Sequence, residues 1–345
     1  MRRTVGTSLA ALGLAVAVAA PALACAGLVA PNGSVRLTRT ATLAGYHDGV
    51  EHYITSFRFE GGGAKFGSIV PLPDVPSKVT RGGDWTLQRL QRETAPPQPV
   101  PASGEADSGG KAEELYETEI DGLLITILKG GGRAVGKWAK DEGFALTPDA
   151  PEVLRFYAQR SKIFMAARFI PEKAEKKELA EGDGIPIHLR IPTDNPWVPL
   201  RILALGKRPY ADVDADVYLL TDDEPALLPA ASPAGTSRGM VLERSEQASD
   251  LLLDDLRSDK GMKWVPEEGW LTYLRLQINA RNLTYDLAVD ATGAGTPSEE
   301  DAFGVQEEEE ESSSEESEDS YVPAWIVLPV AGMGALGALR SRRRR

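Results

Sequence analysis

Apolar and polar residues alternate with period two over residues 35–43 (VRLTRTATL) and again over residues 53–59, on either side of an Asp48-Gly49 pair. Alternation of this kind predicts strands, and Asp-Gly between two such runs predicts a hairpin turn. Gly61-Gly62-Gly63 ends the second run, and residues 66–76 read as a strand entering a proline-fixed, extended exit. Asp84 is placed to cap a short helix over Trp85, Leu87 and Leu90. Residues 115–120 and 123–128 form a strand pair or one bent strand. A helix is expected from Ala134 to Glu142, stopped by Gly143, and a second opened by Asp149-Ala150-Pro151 and carrying Val153, Leu154, Phe156 and Tyr157. Strands follow at 163–169, 185–191, 200–205 and 213–220, with a charged crossing at 173–181 and a helix at 249–256. Leu274, Leu276 and Ile278 alternate with Arg275, Gln277 and Asn279, and a turn near Arg281-Asn282 leads to Leu283, Tyr285, Leu287 and Val289. This reads as a closing hairpin with one wet face. The class is α+β, largely antiparallel sheet with a few helices.

The two ends of the 345-residue chain follow a different pattern. Residues 1–24 have a short basic start (Arg2, Arg3), an apolar stretch from Leu9 to Ala20 and a small-x-small ending at Ala22-Leu23-Ala24, which is the layout of a secretory signal peptide. Residues 322–339 carry no charge and are long enough, as a helix, to span a bilayer core about 30 Å thick. Arg340, Arg342, Arg343, Arg344 and Arg345 follow at once, so the positive-inside rule puts residues 340–345 in the cytoplasm. Leu328-Pro329-Val330-Ala331-Gly332 resembles a sortase signal, but Ala331 replaces its threonine and the motif lies inside the apolar run. A retained transmembrane anchor is the preferred reading. The chain is thus expected to be a single-pass plasma-membrane protein whose partner at that end is the lipid bilayer, with residues 25–298 as an α+β domain outside the cell.

Charge sharpens this layout. The formal net charge is −13, and residues 299–319 hold twelve acids and no base, so 299–321 is expected to be an acidic, solvated stalk. The rest of the ectodomain is acidic as well and has no basic stripe for nucleic acid. Residues 95–111, rich in proline, glycine and serine, read as a flexible insertion within one domain. Cys25 is the only cysteine, so no internal disulfide can form; it is expected to be the first mature residue, with a packing role.

Candidate chemistry is sparse. His47, Glu51 and His52 surround one turn and are the nearest approach to a zinc set, but their spacing matches no helical zinc signature and Asp48-Gly49 is already explained as turn chemistry. His188 is expected to be a satisfied or solvent-facing strand residue. Glycine runs at 61–63 and 130–132 lack the lysine–hydroxyl pair of a phosphate loop. Asp212, Asp214 and Asp216 alternate with apolar residues as a strand edge does, without the spacing of a calcium loop. No catalytic residue, cofactor or metal is assigned.

Cys25-Ala26-Gly27-Leu28, Ile69-Val70-Pro71-Leu72-Pro73-Asp74-Val75-Pro76, Phe164-Met165-Ala166-Ala167-Arg168-Phe169, Ile185-Pro186-Ile187-His188-Leu189-Arg190-Ile191-Pro192-Thr193-Asp194 and Trp197-Val198-Pro199-Leu200-Arg201-Ile202 together resemble the bacterial domain-of-unknown-function 2330 family. The resemblance implies an exported protein, often membrane-anchored, and carries over no catalytic residue. The function expected is that of a non-catalytic binding or envelope-associated module at the cell surface. The alternative is an extracellular hydrolase-like enzyme using Cys25 or the His47, Glu51 and His52 group.

Overall fold

The computed structural model describes residues 27–29, 40–57, 67–94, 113–120, 123–142, 146–169, 185–194, 196–236 and 238–305. The signal segment, Cys25, the 95–111 insertion, the 173–181 crossing, residues 306–321, the apolar run at 322–339 and the arginine tail lie outside them.

The hairpin predicted at Asp48-Gly49 is present. Strands β2 (Thr40–His47) and β3 (Val50–Phe57) pair antiparallel, with His47 opposite Val50. Asp48 (φ 52) and Gly49 (φ 72) are both left-handed, as the tight hairpin turn requires. These strands lie inside a seven-stranded sheet. Its order is β13 (Met240–Gln247), β14 (Trp270–Asn279), β11 (Asp212–Thr221), β2, β3, β9 (Ile185–Pro192) and β5 (Lys78–Arg81). Neighbours are antiparallel except β2 and β11, which run parallel. A five-stranded antiparallel sheet has the order β1 (Gly27–Val29), β4 (Gly67–Leu72), β8 (Ile163–Phe169), β7 (Leu123–Lys129) and β6 (Glu113–Ile120). A small third sheet joins β10 (Trp197–Val198), β15 (Leu287–Asp290) and β12 (Ala226–Leu228).

Side-chain alternation explains how these sheets stack. In β8, Ile163, Met165 and Ala167 enter one core, whereas Phe164 and Ala166 enter another. In β11, Val213, Ala215, Val217 and Leu219 join the same first core, and Tyr218 and Leu220 join a third. The two large sheets therefore bury their facing sides together. The outer side of the five-stranded sheet is covered by α2 (Gly132–Asp141) and α3 (Ala150–Arg160), and that of the seven-stranded sheet by α1 (Thr86–Thr94) and α4 (Asp250–Ser258). The result is a four-layer α/β/β/α domain, mixed in class and dominated by antiparallel sheet. Strands buried on both faces read as continuous apolar runs, which is why β7 and β8 look uniformly hydrophobic.

Four expectations are corrected. Residues 200–205 are not a strand, because Arg201–Ala204 is a 3-10 turn. The Leu200 and Arg201 backbone N–H groups both donate to Asp286 Oδ1, at 2.7 and 2.8 Å, which removes them from any strand ladder. The closing hairpin does not form. β14 pairs with β11 and β13, and the chain leaves through the 3-10 turn Ala280–Asn282 to place β15 in the third sheet. Asp212, Asp214 and Asp216 lie on a central strand rather than an edge, and buried Asp216 accepts from Tyr273 Oη at 2.8 Å. The fold also continues past 298. Residues Glu299–Phe303 form α5, capped by Ser298 Oγ, which accepts from Asp301 N at 3.1 Å, and anchored by fully buried Ala302. Acids in a first helical turn favour the helix dipole, so a run that reads as stalk begins as helix.

The cap of α1 comes from elsewhere too. Asp259 accepts from Asp84 N, Trp85 N, Thr86 Oγ1 and Lys260 N, at 2.7 to 2.9 Å, whereas Asp84 pairs with Arg81. Burial raises the Asp259 carboxyl, but these donors prevail and hold it below its usual value. Asp259→Ala is expected to cost about 2 kcal/mol of stability in urea unfolding, and Asp84→Ala much less.

Five helices are present among the described residues, and no helix there is long and apolar enough to cross a membrane.

Candidate functional site

At one end of the sandwich the β2–β3 turn, the β4–β5 connection, the end of α3, the β9–β10 loop and α5 converge on a cleft of about 510 Å³. The β2–β3 turn contributes Gly49, and the other four bring polar side chains to the wall: Asp74, Ser161, Thr193, Asp194 and Asp301, with Arg160 and Trp197 beside them. A second hollow of about 230 Å³ adjoins it and shares Asp194 and Asp301.

The base of the cleft is held by a buried network. Arg160 pairs with Asp286, both side chains almost wholly enclosed, and also donates to the Asp301 carbonyl. Asp286 Oδ1 accepts from Tyr157 Oη at 2.8 Å as well as from the Leu200 and Arg201 N–H groups. Tyr157 Oη in turn accepts from Ile202 N at 2.8 Å. Burial raises the Tyr157 hydroxyl well above the usual range, and Asp286 adds to the rise, so it stays a donor. The Arg160 guanidinium rests 4.4 Å from the Phe156 ring centroid and 4.5 Å from that of Trp197. Burial raises the Asp301 carboxyl; the Ser298 hydrogen bond and the Arg160 charge oppose the rise, and the Glu300 and Asp286 charges add to it.

Trp197 also separates the cleft from a small chamber of about 10 Å³ whose wall includes Glu51. Glu51 is wholly buried, and neither carboxyl oxygen has a hydrogen-bond partner of normal geometry. Burial pushes its carboxyl up to about 8, opposed by the Trp197 backbone N–H and reinforced by Asp301.

The residues singled out from the sequence are divided by the sheet. Glu51 follows the register of Tyr53 toward the inter-sheet core, while His52 follows Ile54 toward the helical layer. His47 lies at the hairpin end, partly exposed, with Nδ1 2.7 Å from Asp222 Oδ1. Among the described residues no cluster of three or more histidine, cysteine or acidic side chains is placed to hold a metal ion. Cys25 lies outside the described residues.

His188 and His52 form a buried pair, Nδ1 of His52 lying 2.9 Å from Nε2 of His188. The Trp264 ring stacks on His52 with centroids 3.8 Å apart. Sequence reasoning missed this cluster. Its signal is Gly45, a glycine inside a strand, where an added Cβ would collide with the Trp264 ring. Burial lowers both imidazoles, His52 to about 3 and His188 to about 4, aided by the neighbouring His188 and Arg190 charges for the former and by Arg190 and Lys78 for the latter. A depressed pKa means the unfolded chain takes up the proton first. Stability from this pair is therefore present above pH 6.5 and lost as pH falls toward 4. Urea unfolding between pH 6.5 and 4 is expected to show this acid arm, and His52→Asn with His188→Asn to flatten it.

These observations define a four-layer α/β/β/α domain with a polar end cleft. The chain belongs to the family described as uncharacterized protein conserved in bacteria, DUF2330, whose model matches residues 18–289. No curated protein matches the chain. Among solved structures, the crystal structure of baculovirus P35 is similar at a TM-score of 0.42 and 10% identity, covering 76% of this chain and 99% of that one.

Proposed function

We propose that this protein is a membrane-anchored binding module at the cell surface, and that the end cleft is the seat of its ligand. The observation that carries this reading is the convergence of five separate segments on one cleft of about 510 Å³ with a polar wall. A wall of carboxylates and hydroxyls suits a small, hydrated polar ligand better than a flat apolar one. Ser161, the serine in that wall, accepts from Ile163 N at 3.2 Å. All three histidines of the chain are engaged away from it, His47 with Asp222 and His52 with His188. A serine without an imidazole base lacks the activation that nucleophilic catalysis needs, so binding is favoured over hydrolysis. The sequence supports the placement: a signal-like start, an acidic run after the folded domain, an uncharged 18-residue stretch and five arginines.

The binding reading is tested by thermal shift of the purified full-length protein against diamines, amino sugars and calcium. A ligand that raises the Tm of the wild type and not of Asp194→Ala supports it. Failure of all three classes to shift the wild type, or an equal shift in the variant, contradicts the cleft as their seat.

A further inference from the structure

Among the described residues, Glu51 is an acidic side chain wholly enclosed between the seven-stranded sheet and the small third sheet, with no hydrogen-bond partner of normal geometry for either oxygen. Burying an unpaired polar group costs free energy, and burying an unpaired charge costs far more. Such a group needs either a proton and an acceptor or a counter-charge. Among the described residues no counter-charge acts on it: the charge that reaches it from α5 is Asp301, itself an anion. From β2 the facing titratable group is Tyr46, whose hydroxyl donates to the Thr193 carbonyl at 3.0 Å and is raised by burial and by Asp194, Glu51 and Asp222. From β10 comes the Trp197 N–H, and from β11 Thr221, whose hydroxyl donates to the Asp223 carbonyl at 2.6 Å. The remaining wall is apolar, with Ala44, Leu219 and Val289.

The chamber against Glu51 measures about 10 Å³, the volume at which a cavity accommodates a single water. It is too small and too poor in oxygen donors for a coordinated metal ion. We infer that Glu51 is a buried proton-and-water site: a neutral carboxylic acid donating to one enclosed water beneath Trp197. The upward displacement of its carboxyl agrees with the geometry. Trp197 is the wall this chamber shares with the end cleft, and it belongs to a strand of only two residues. Loss of the proton leaves an anion whose adjacent donor, among the described residues, is the Trp197 N–H, so ionisation strains the cover of the chamber. Any consequence for ligand binding rests on the cleft reading above, whereas the proton site itself does not.

The linkage has a definite sign. The native state holds a proton that the unfolded chain releases near pH 4.5, so rising pH removes stability until about pH 8. Above pH 7 the stability from the histidine pair is nearly constant, so the fall with rising pH is that of Glu51. For the full-length protein, the folding constant from urea unfolding is expected to fall about three-fold between pH 7 and 8, where the unfolded histidines are largely neutral and Glu51 loses its proton. Glu51→Gln, which cannot ionise, is expected to show no fall over the same window. A flat wild type, or an unchanged slope in the variant, overturns the proton site. Should the variant not fold, infrared spectroscopy of the wild type decides. A protonated carboxylic C=O band present at pH 7 and lost by pH 9 upholds the site, and its absence at pH 7 overturns it. A crystal structure at pH 7 with no water in bonding range of Glu51 overturns the enclosed water.

Discussion

Asp286→Ala is expected to cost 3–5 kcal/mol, roughly the penalty for stranding one member of a buried ion pair. The substitution leaves the Arg160 guanidinium enclosed without its carboxylate and also releases Tyr157 Oη and the Leu200 and Arg201 N–H groups. Those N–H groups fix the 3-10 turn Arg201–Ala204 and, through Tyr157 and Ile202, its contact with α3. Against a typical total of about 5–15 kcal/mol, a loss of this size leaves the domain marginal. Asp286→Asn keeps acceptors for the N–H groups but not the charge, so its cost is expected to be smaller. Urea unfolding of the three proteins measures the order wild type, Asn, Ala. A near-neutral Ala variant shows that the network is not a support of the cleft base.

The second large effect lies where α2 crosses α3. A Cβ at Gly132 would stand 2.5 Å from the Leu154 carbonyl carbon and 2.7 Å from Arg155 N, both backbone atoms of α3. No rotamer change relieves such a contact; the helices have to separate. Separation opens the core that holds Val135, Trp138, Leu154 and Tyr157 between the helices and the five-stranded sheet. Gly132→Ala is expected to lose about 3 kcal/mol, at the upper end of overpacking costs. Gly131→Ala, one residue earlier, meets nothing within 4 Å and serves as the control, with little change expected in its denaturation midpoint.

Much of the layered fold was legible because its signals are local. Asp48-Gly49 sets the hairpin, Pro151 lies at the start of α3, and the apolar runs of β7 and β8 mark strands with two buried faces. What was not legible depends on residues distant in the chain. The helix cap at Thr86 is a carboxylate more than 170 residues later, and Leu200 to Leu205 fails as a strand because Asp286 captures its N–H groups. Leu283 to Val289 has the alternation of a hairpin partner, but periodicity carries no information about which strand it joins. β13 escaped notice because a register shift between Leu242 and Arg244 breaks its alternation.

The candidate site was less legible still. Glu51 sits beside a turn and reads as a solvated hairpin residue, yet strand register sends it into the inter-sheet core. His52, its neighbour, goes to the opposite face and meets His188 from 136 residues away. A single step along β3 thus separates two environments with opposite pH dependence. The histidine pair loses stability on acidification and Glu51 on alkalinisation, so together they place the optimum near pH 6.5.

The proposed arrangement is a folded binding domain displayed outside the cell on a C-terminal anchor. It is tested most directly by treating intact cells with a membrane-impermeant amine reagent and mapping the labelled lysines. Lys137, whose side chain is 74% exposed, is expected to be labelled on intact cells, with the protein released from membranes by detergent and not by salt. Lys137 labelled only after lysis, or a protein recovered in the soluble fraction, contradicts the account.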